Sequence, residues 1–156
     1  MSLNRTEIEW TDRTWNPVTG CRHGCAYCYA RRVAETRMRG QCGYPADDPF
    51  RPTFHAGRLK DPRPRARVPL RVFTVSMGDL FGRWVPDEWI AAVLATMKRC
   101  PTYTFQVLTK APVGMLGWGW PDNCWAGITA ETPGKLARRM AHLREVDAPV
   151  KFASLE

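Results

Sequence analysis

The run Gly20-Cys21-Arg22-His23-Gly24-Cys25-Ala26-Tyr27-Cys28-Tyr29 places three thiols in a C-x3-C-x2-C pattern, with an aromatic before the third. Three thiolates at this spacing can hold three corners of a cubane iron–sulfur cluster, which ordinarily takes four cysteines. One iron is then left without a protein ligand and open to chemistry. Cys42, in Gly40-Gln41-Cys42-Gly43, is a candidate fourth thiolate. The alternative is zinc: Cys21, His23, Cys25 and Cys28 make a Cys3His set. Four ligands in so short a run are cramped, however, because structural zinc sites usually draw on two separated pairs. Cys100 and Cys124 lie in apolar settings and read as buried, inert thiols.

A second chemical feature is charge. Twenty-three Lys and Arg oppose 15 Asp and Glu, a net +8. Arg58, Lys60, Arg63, Arg65, Arg67 and Arg71 cluster against the single Asp61. Guanidinium groups pair well with phosphate oxygens, so the stretch is a candidate nucleic-acid surface; the alternative is a solvated basic loop. No apolar run approaches the roughly 20 residues of a membrane span. The chain begins without an apolar signal region, which implies a cytoplasmic protein with no membrane partner. Without a secretion signal, the six cysteines do not read as a disulfide framework.

At 156 residues the chain suits one domain, 1–156, with one core. Ile8-Glu9-Trp10 reads as a short strand and Tyr27 to Arg39 as a helix ended by Gly40. Residues 40–70 are rich in proline and basic groups and read as loop. From residue 70 the pattern changes. Leu70–Ser76, Tyr103–Thr109, Cys124–Thr129 and Val150–Ser154 are β-branched or apolar runs of buried-strand type. Between them, Trp89, Ile90, Val93, Leu94 and Met97 share one face of a helix opened by Pro86-Asp87-Glu88. A helical turn is expected near Val113–Leu116. Thr132-Pro133 starts another helix, with Leu136, Met140 and Leu143 inward. Strand–helix alternation argues for a parallel α/β fold. A closed eightfold barrel needs about 250 residues, so this length predicts a partial (βα) barrel of about five to six parallel units. The last strand would be an unpaired edge.

The cysteine loop resembles that of radical S-adenosylmethionine (SAM) enzymes, in which the unligated iron chelates the amino and carboxylate groups of SAM. That resemblance implies a [4Fe–4S] cluster on Cys21, Cys25 and Cys28, with Tyr27 beside it. In parallel α/β folds ligands lie at the carboxyl ends of strands. Ser76-Met77-Gly78-Asp79 then stands where the superfamily usually has Gly-Gly-Glu, implying that Gly78 admits the ligand and Asp79 takes the SAM ammonium group. Thr109-Lys110 is similar to a strand end in the DNA photoproduct-lyase branch, where the lysine would pair with the SAM carboxylate or a phosphate. Thr129 and Glu131 would meet the SAM ribose or the substrate. Helix capping by Asp79, a snorkelling Lys110 and dipole complementarity at Glu131 are the structural alternatives. Ser154 and Glu156 close the series at the last strand.

Glu9-Trp10 through Trp15-Asn16-Pro17 to Cys21, then Ser76-Met77 with Asp79-Leu80-Phe81, Thr104–Lys110 and Ser154-Leu155-Glu156, resemble a phage-associated three-cysteine-motif family of radical-SAM-like proteins. Its members continue past Ser-Leu-Glu, which implies that this chain is truncated or a short member. The resemblance implies a radical SAM enzyme: reductive cleavage of SAM to a 5′-deoxyadenosyl radical acting on an unidentified substrate, with an external electron donor. The basic stretch makes nucleic acid or a nucleotide the first substrate class. The competing functions are a cluster-bearing scaffold that needs a partner protein and a zinc-binding nucleic-acid module.

Overall fold

The computed structural model describes residues 3–64 and 68–155. β1 (Leu3–Arg5) pairs antiparallel with β2 (Arg13–Trp15). β3 (Val18–Thr19) follows, and the cysteine loop leads into α1 (Tyr29–Val33). β4 (Thr53–Phe54) pairs antiparallel with β3 as a small separate ribbon. The second half supplies β5 (Leu70–Thr74), α2 (Asp87–Lys98), β6 (Tyr103–Thr109), β7 (Cys124–Ala130), α3 (Pro133–Glu145) and β8 (Val150–Leu155). The six-stranded sheet runs β1-β2-β5-β6-β7-β8, and every pair from β2 onward is parallel. The parallel strands therefore lie side by side in chain order, and all their carboxyl ends fall along one edge.

One face of this sheet carries Trp15, Val72, Phe105, Val107, Ala126 and Ile128, all fully buried. They form the core with Val93, Leu94 and Met97 of α2 and Leu143 of α3. Asp87 and Glu88 favour the α2 N-terminus electrostatically. The Thr132 hydroxyl caps α3 by accepting from Lys135 N, with Pro133 in the first turn. The other sheet face is aromatic: Trp10 packs on Phe73 at 4.9 Å between ring centres, and Phe152 lies 6.4 Å from both Trp10 and Trp125.

Three expectations change. Ile8-Glu9-Trp10 is a turn, not a strand: Thr11 N donates to Ile8 O at 3.2 Å, which reverses the chain between β1 and β2 and lays Trp10 on Phe73. The helix begins at Tyr29 and widens into a π turn over Ala34–Met38 before Gly40, whose φ of +69° ends it. The helical turn expected near Val113–Leu116 is a 3-10 turn (Pro112–Met115) that joins β6 to β7. One of the six strands is antiparallel, so the fold is a mixed α/β sheet that is mostly parallel. The final strand is an edge, as expected, with Leu155 71% exposed. Cys100 and Cys124 are buried, also as expected.

Candidate functional site

The carboxyl ends of the parallel strands open on a cleft of about 1860 Å³. Ser76, Met77, Gly78 and Asp79 beyond β5, Thr109 and Lys110 at β6, Thr129 of β7 and Ser154 of β8 all line it. Cys21, Cys25, Tyr27 and Cys28 line the same space, and so does Cys42. The fold thus brings the predicted strand-end residues and the cysteine loop together, with Glu131 joined to them through Tyr27 and Lys110. Glu156 lies outside the described residues.

Asp79 is buried and its carboxylate is saturated. Oδ1 accepts from Phe81 N (3.0 Å) and the Thr109 hydroxyl (2.6 Å). Oδ2 accepts from Lys110 N (3.0 Å) and lies 2.7 Å from His23 Nε2. A carboxylate has about four acceptor directions, and all four are taken. Direct contact with an ammonium group requires His23 to leave. His23 itself packs edge-on against Trp84 at 4.8 Å, so Asp79 anchors the cysteine loop through this ring.

Glu131 anchors the same loop differently. Tyr27 Oη donates to Glu131 Oε1 at 2.7 Å, and Lys110 Nζ donates to both. Arg139 Nη1 (3.0 Å) and Lys135 Nζ (3.4 Å) reach Glu131 Oε2. Burial alone would raise the carboxyl pKa, but the Lys110 and Tyr27 hydrogen bonds hold it well below the usual carboxylate range. Desolvation, with donation to Glu131, pushes the Tyr27 phenol up to about 12.

Behind the strand end of β5, Asn16 does work that sequence reading missed. Its Oδ1 accepts from Met77 N (2.8 Å) and its side chain exchanges hydrogen bonds with the Ser76 hydroxyl (3.2 Å). The signal available was its place in Trp15-Asn16-Pro17, next to the cysteine run. Val75 here has φ +63°, an outlier for a β-branched residue that marks strain held by the surroundings. Gly78 lines the cleft and also meets a close backbone approach. A Cβ there would stand 2.7 Å from Gly20 O, because the two glycines bridge the end of β5 to the cysteine loop.

Among the described residues of the basic stretch, Arg58 and Arg71 are engaged within the protein. Arg58 donates to Asn16 O (2.8 Å) and Cys42 O (2.6 Å), bracing the cleft wall. Arg71 sits at the amino end of β5, away from the cleft, paired with Asp12. Lys60 and Arg63 are exposed, and Arg65 and Arg67 lie outside the described residues.

The cysteines fit a cluster by donor chemistry. Cys21 Sγ accepts from His23 N and Cys28 Sγ from Arg31 N, each at 3.4 Å, leaving three soft sulfurs on one open cleft. Burial first, and the neighbouring Asp79 and cysteines after it, push the Cys21 thiol up to about 11, so a metal is needed to hold its thiolate. Among the described residues no three His, Cys, Asp or Glu side chains stand close enough to share a single ion. Thr129 Oγ1, at the end of β7, is buried without a hydrogen-bond partner, as are Thr74 Oγ1, Trp84 Nε1 and Gln106 Oε1.

The family model described as "Protein of unknown function (DUF5131)" matches residues 5–156. The chain belongs to this family. No curated protein matches the sequence. Among solved structures, spore photoproduct lyase with bound AdoMet and dinucleoside spore photoproduct superposes with a TM-score of 0.67 over 96% of this chain, at 12% identity. The same lyase complexed with the dinucleoside photoproduct gives 0.65 over 96% at 13% identity. The DUF5131 chain spans 47% of those chains, about half their length. At this identity the likeness establishes a shared fold.

Proposed function

We propose that this protein is a radical SAM-type enzyme of the three-cysteine-motif kind, with Cys21, Cys25 and Cys28 holding a [4Fe–4S] cluster and SAM lying in the strand-end cleft of a partial barrel. The observation that carries the reading is the meeting of the three-thiol loop with four parallel strand ends in one cleft. The fold shared with an AdoMet-bound lyase supports it. When bound, the cluster supplies the electron for reductive cleavage of SAM.

The chain's own residues orient and hold. Asp79 is a positioning residue acting on the loop through His23, and Asn16 fixes the Ser76-Met77 backbone at the cleft. Thr129 offers an unpaired hydroxyl to a ribose. Lys110 offers a cation to a carboxylate or phosphate, at the cost of its contact with Glu131. His23 Nε2 is engaged by Asp79, so a Cys3His zinc module would have to use Nδ1 of this ring. The scaffold reading, with a partner protein completing the site, draws support from the exposed edge of β8.

Anaerobic reconstitution with iron and sulfide tests the ligand set. Alanine at Cys21, Cys25 or Cys28 should abolish the brown chromophore, while His23→Ala should keep it. Bound zinc with no iron in oxygen-free preparations would refute the cluster.

A further inference from the structure

The helix α3 carries Lys135, Arg138, Arg139 and His142 at i, i+3, i+4 and i+7, which lines them on one stripe. Against this stripe lies a pocket of about 310 Å³, lined by Lys110, Ala111, Pro112, Val113, Arg138, Arg139 and His142. It shares Lys110 with the main cleft. The two halves of the stripe differ in how their charge is met. Lys135 and Arg139 share the Glu131 carboxylate. Arg138 is exposed and, among the described residues, neither it nor His142 has a hydrogen-bond or ionic partner. Arg138 thus presents a guanidinium with no internal counter-charge, and the His142 ring stands one turn on from it, a pair suited to an external anion. Tyr27 and Tyr29, which line the main cleft, stand 59% and 49% exposed, and the ammonium of Lys110, the residue both cavities share, lies 4.8 Å from the Tyr27 ring centre.

We propose that this face binds the phosphodiester backbone of a single-stranded nucleic acid, with bases reaching the tyrosines at the cleft mouth. A basic track beside aromatic platforms is how single strands are held without reading sequence. The proposal deepens the enzyme reading by naming its substrate class, and it rests on that reading only for the role of the cleft. It places a candidate phosphate-binding surface on α3, apart from the candidate stretch at residues 58–71.

The test is fluorescence anisotropy of a labelled single-stranded oligonucleotide against salt, with the full-length protein. The variant Arg138→Gln/His142→Gln should weaken binding by about three- to tenfold and flatten the log–log salt slope by about 0.7, one phosphate contact on a single strand. Arg63→Gln should leave both unchanged. Unchanged affinity and slope in the double variant, or a loss confined to Arg63→Gln, overturns the site. Equal competition by inorganic phosphate or a mononucleotide overturns the polymer in favour of a single phosphate, and equal binding of duplex overturns the single strand. Oligonucleotide-free SAM cleavage should be the same in the double variant as in the parent. Its absence in the parent overturns the enzyme reading while the binding result stands.

Discussion

Two carboxylates hold the cysteine loop, and they do so by different physics. Asp79, past the end of β5, is 4% exposed and sits among two main-chain amides, a hydroxyl and the His23 ring. Glu131, past β7, is surrounded by Lys110, Lys135 and Arg139, with Tyr27 donating to it. The first anchor is short-ranged and geometric: removing it leaves four donors without their acceptor, two of them in fully buried hydrogen bonds. The second is coulombic, one carboxylate among three cations, so salt weakens it more than the first and an anion reaching Lys110 competes with it. The loop is therefore fixed firmly on its His23 side and exchangeably on its Tyr27 side.

The sharpest break of this contrast is Asp79→Ala. It should cost roughly 3–5 kcal/mol, since the donors lose their acceptor in a buried site. Asp79→Asn should cost about 1.5–3 kcal/mol and weaken SAM binding by about ten- to a hundredfold. Denaturant melts read the first, titration with SAM the second, and neither loss should depend on salt. If His23→Ala tightens SAM binding, Asp79 meets the ammonium group directly.

Glu131→Gln should be milder, about 1–2 kcal/mol, and should shrink as salt rises. A salt-independent loss would erase the distinction between the anchors. Because the fold holds the Glu131 pKa below its ordinary 4.5, this stabilisation is present above about pH 4.5 and is lost on acidification below it.

His55 gives the gentlest handle, remote from both anchors. Burial, and then Arg58, lower its pKa from 6.5 to about 4. Between those values the unfolded chain binds the extra proton, so stability should rise with pH from about 4 to 6.5. His55→Gln should flatten that rise in melts taken across the window; an unchanged slope would assign it to other groups.

Much of this was legible in the sequence, for identifiable reasons. β5, β6 and β7 announce themselves as apolar runs because both of their faces are covered. The cysteine spacing is local and needs no fold to be read. The bracing role of Arg58 was hidden because an arginine's partner is tertiary: nothing near it in sequence reveals that it meets Asn16 and Cys42. The bridge from Gly78 to Gly20 was hidden for the same reason, since Gly20 lies across the site. Asp79 was found by its place after a strand, but its saturation by His23, Thr109 and two amides depends on how β5, β6 and the loop converge. The Ile8–Trp10 turn was hidden because its apolar residues serve the sheet face through Trp10.

The most direct test is SAM cleavage by the anaerobically reconstituted, chemically reduced protein, followed as 5′-deoxyadenosine. The parent should carry about four irons per chain and release 5′-deoxyadenosine, and Cys25→Ala should do neither. A chain that holds its full cluster yet leaves SAM intact contradicts the enzyme and moves the scaffold ahead.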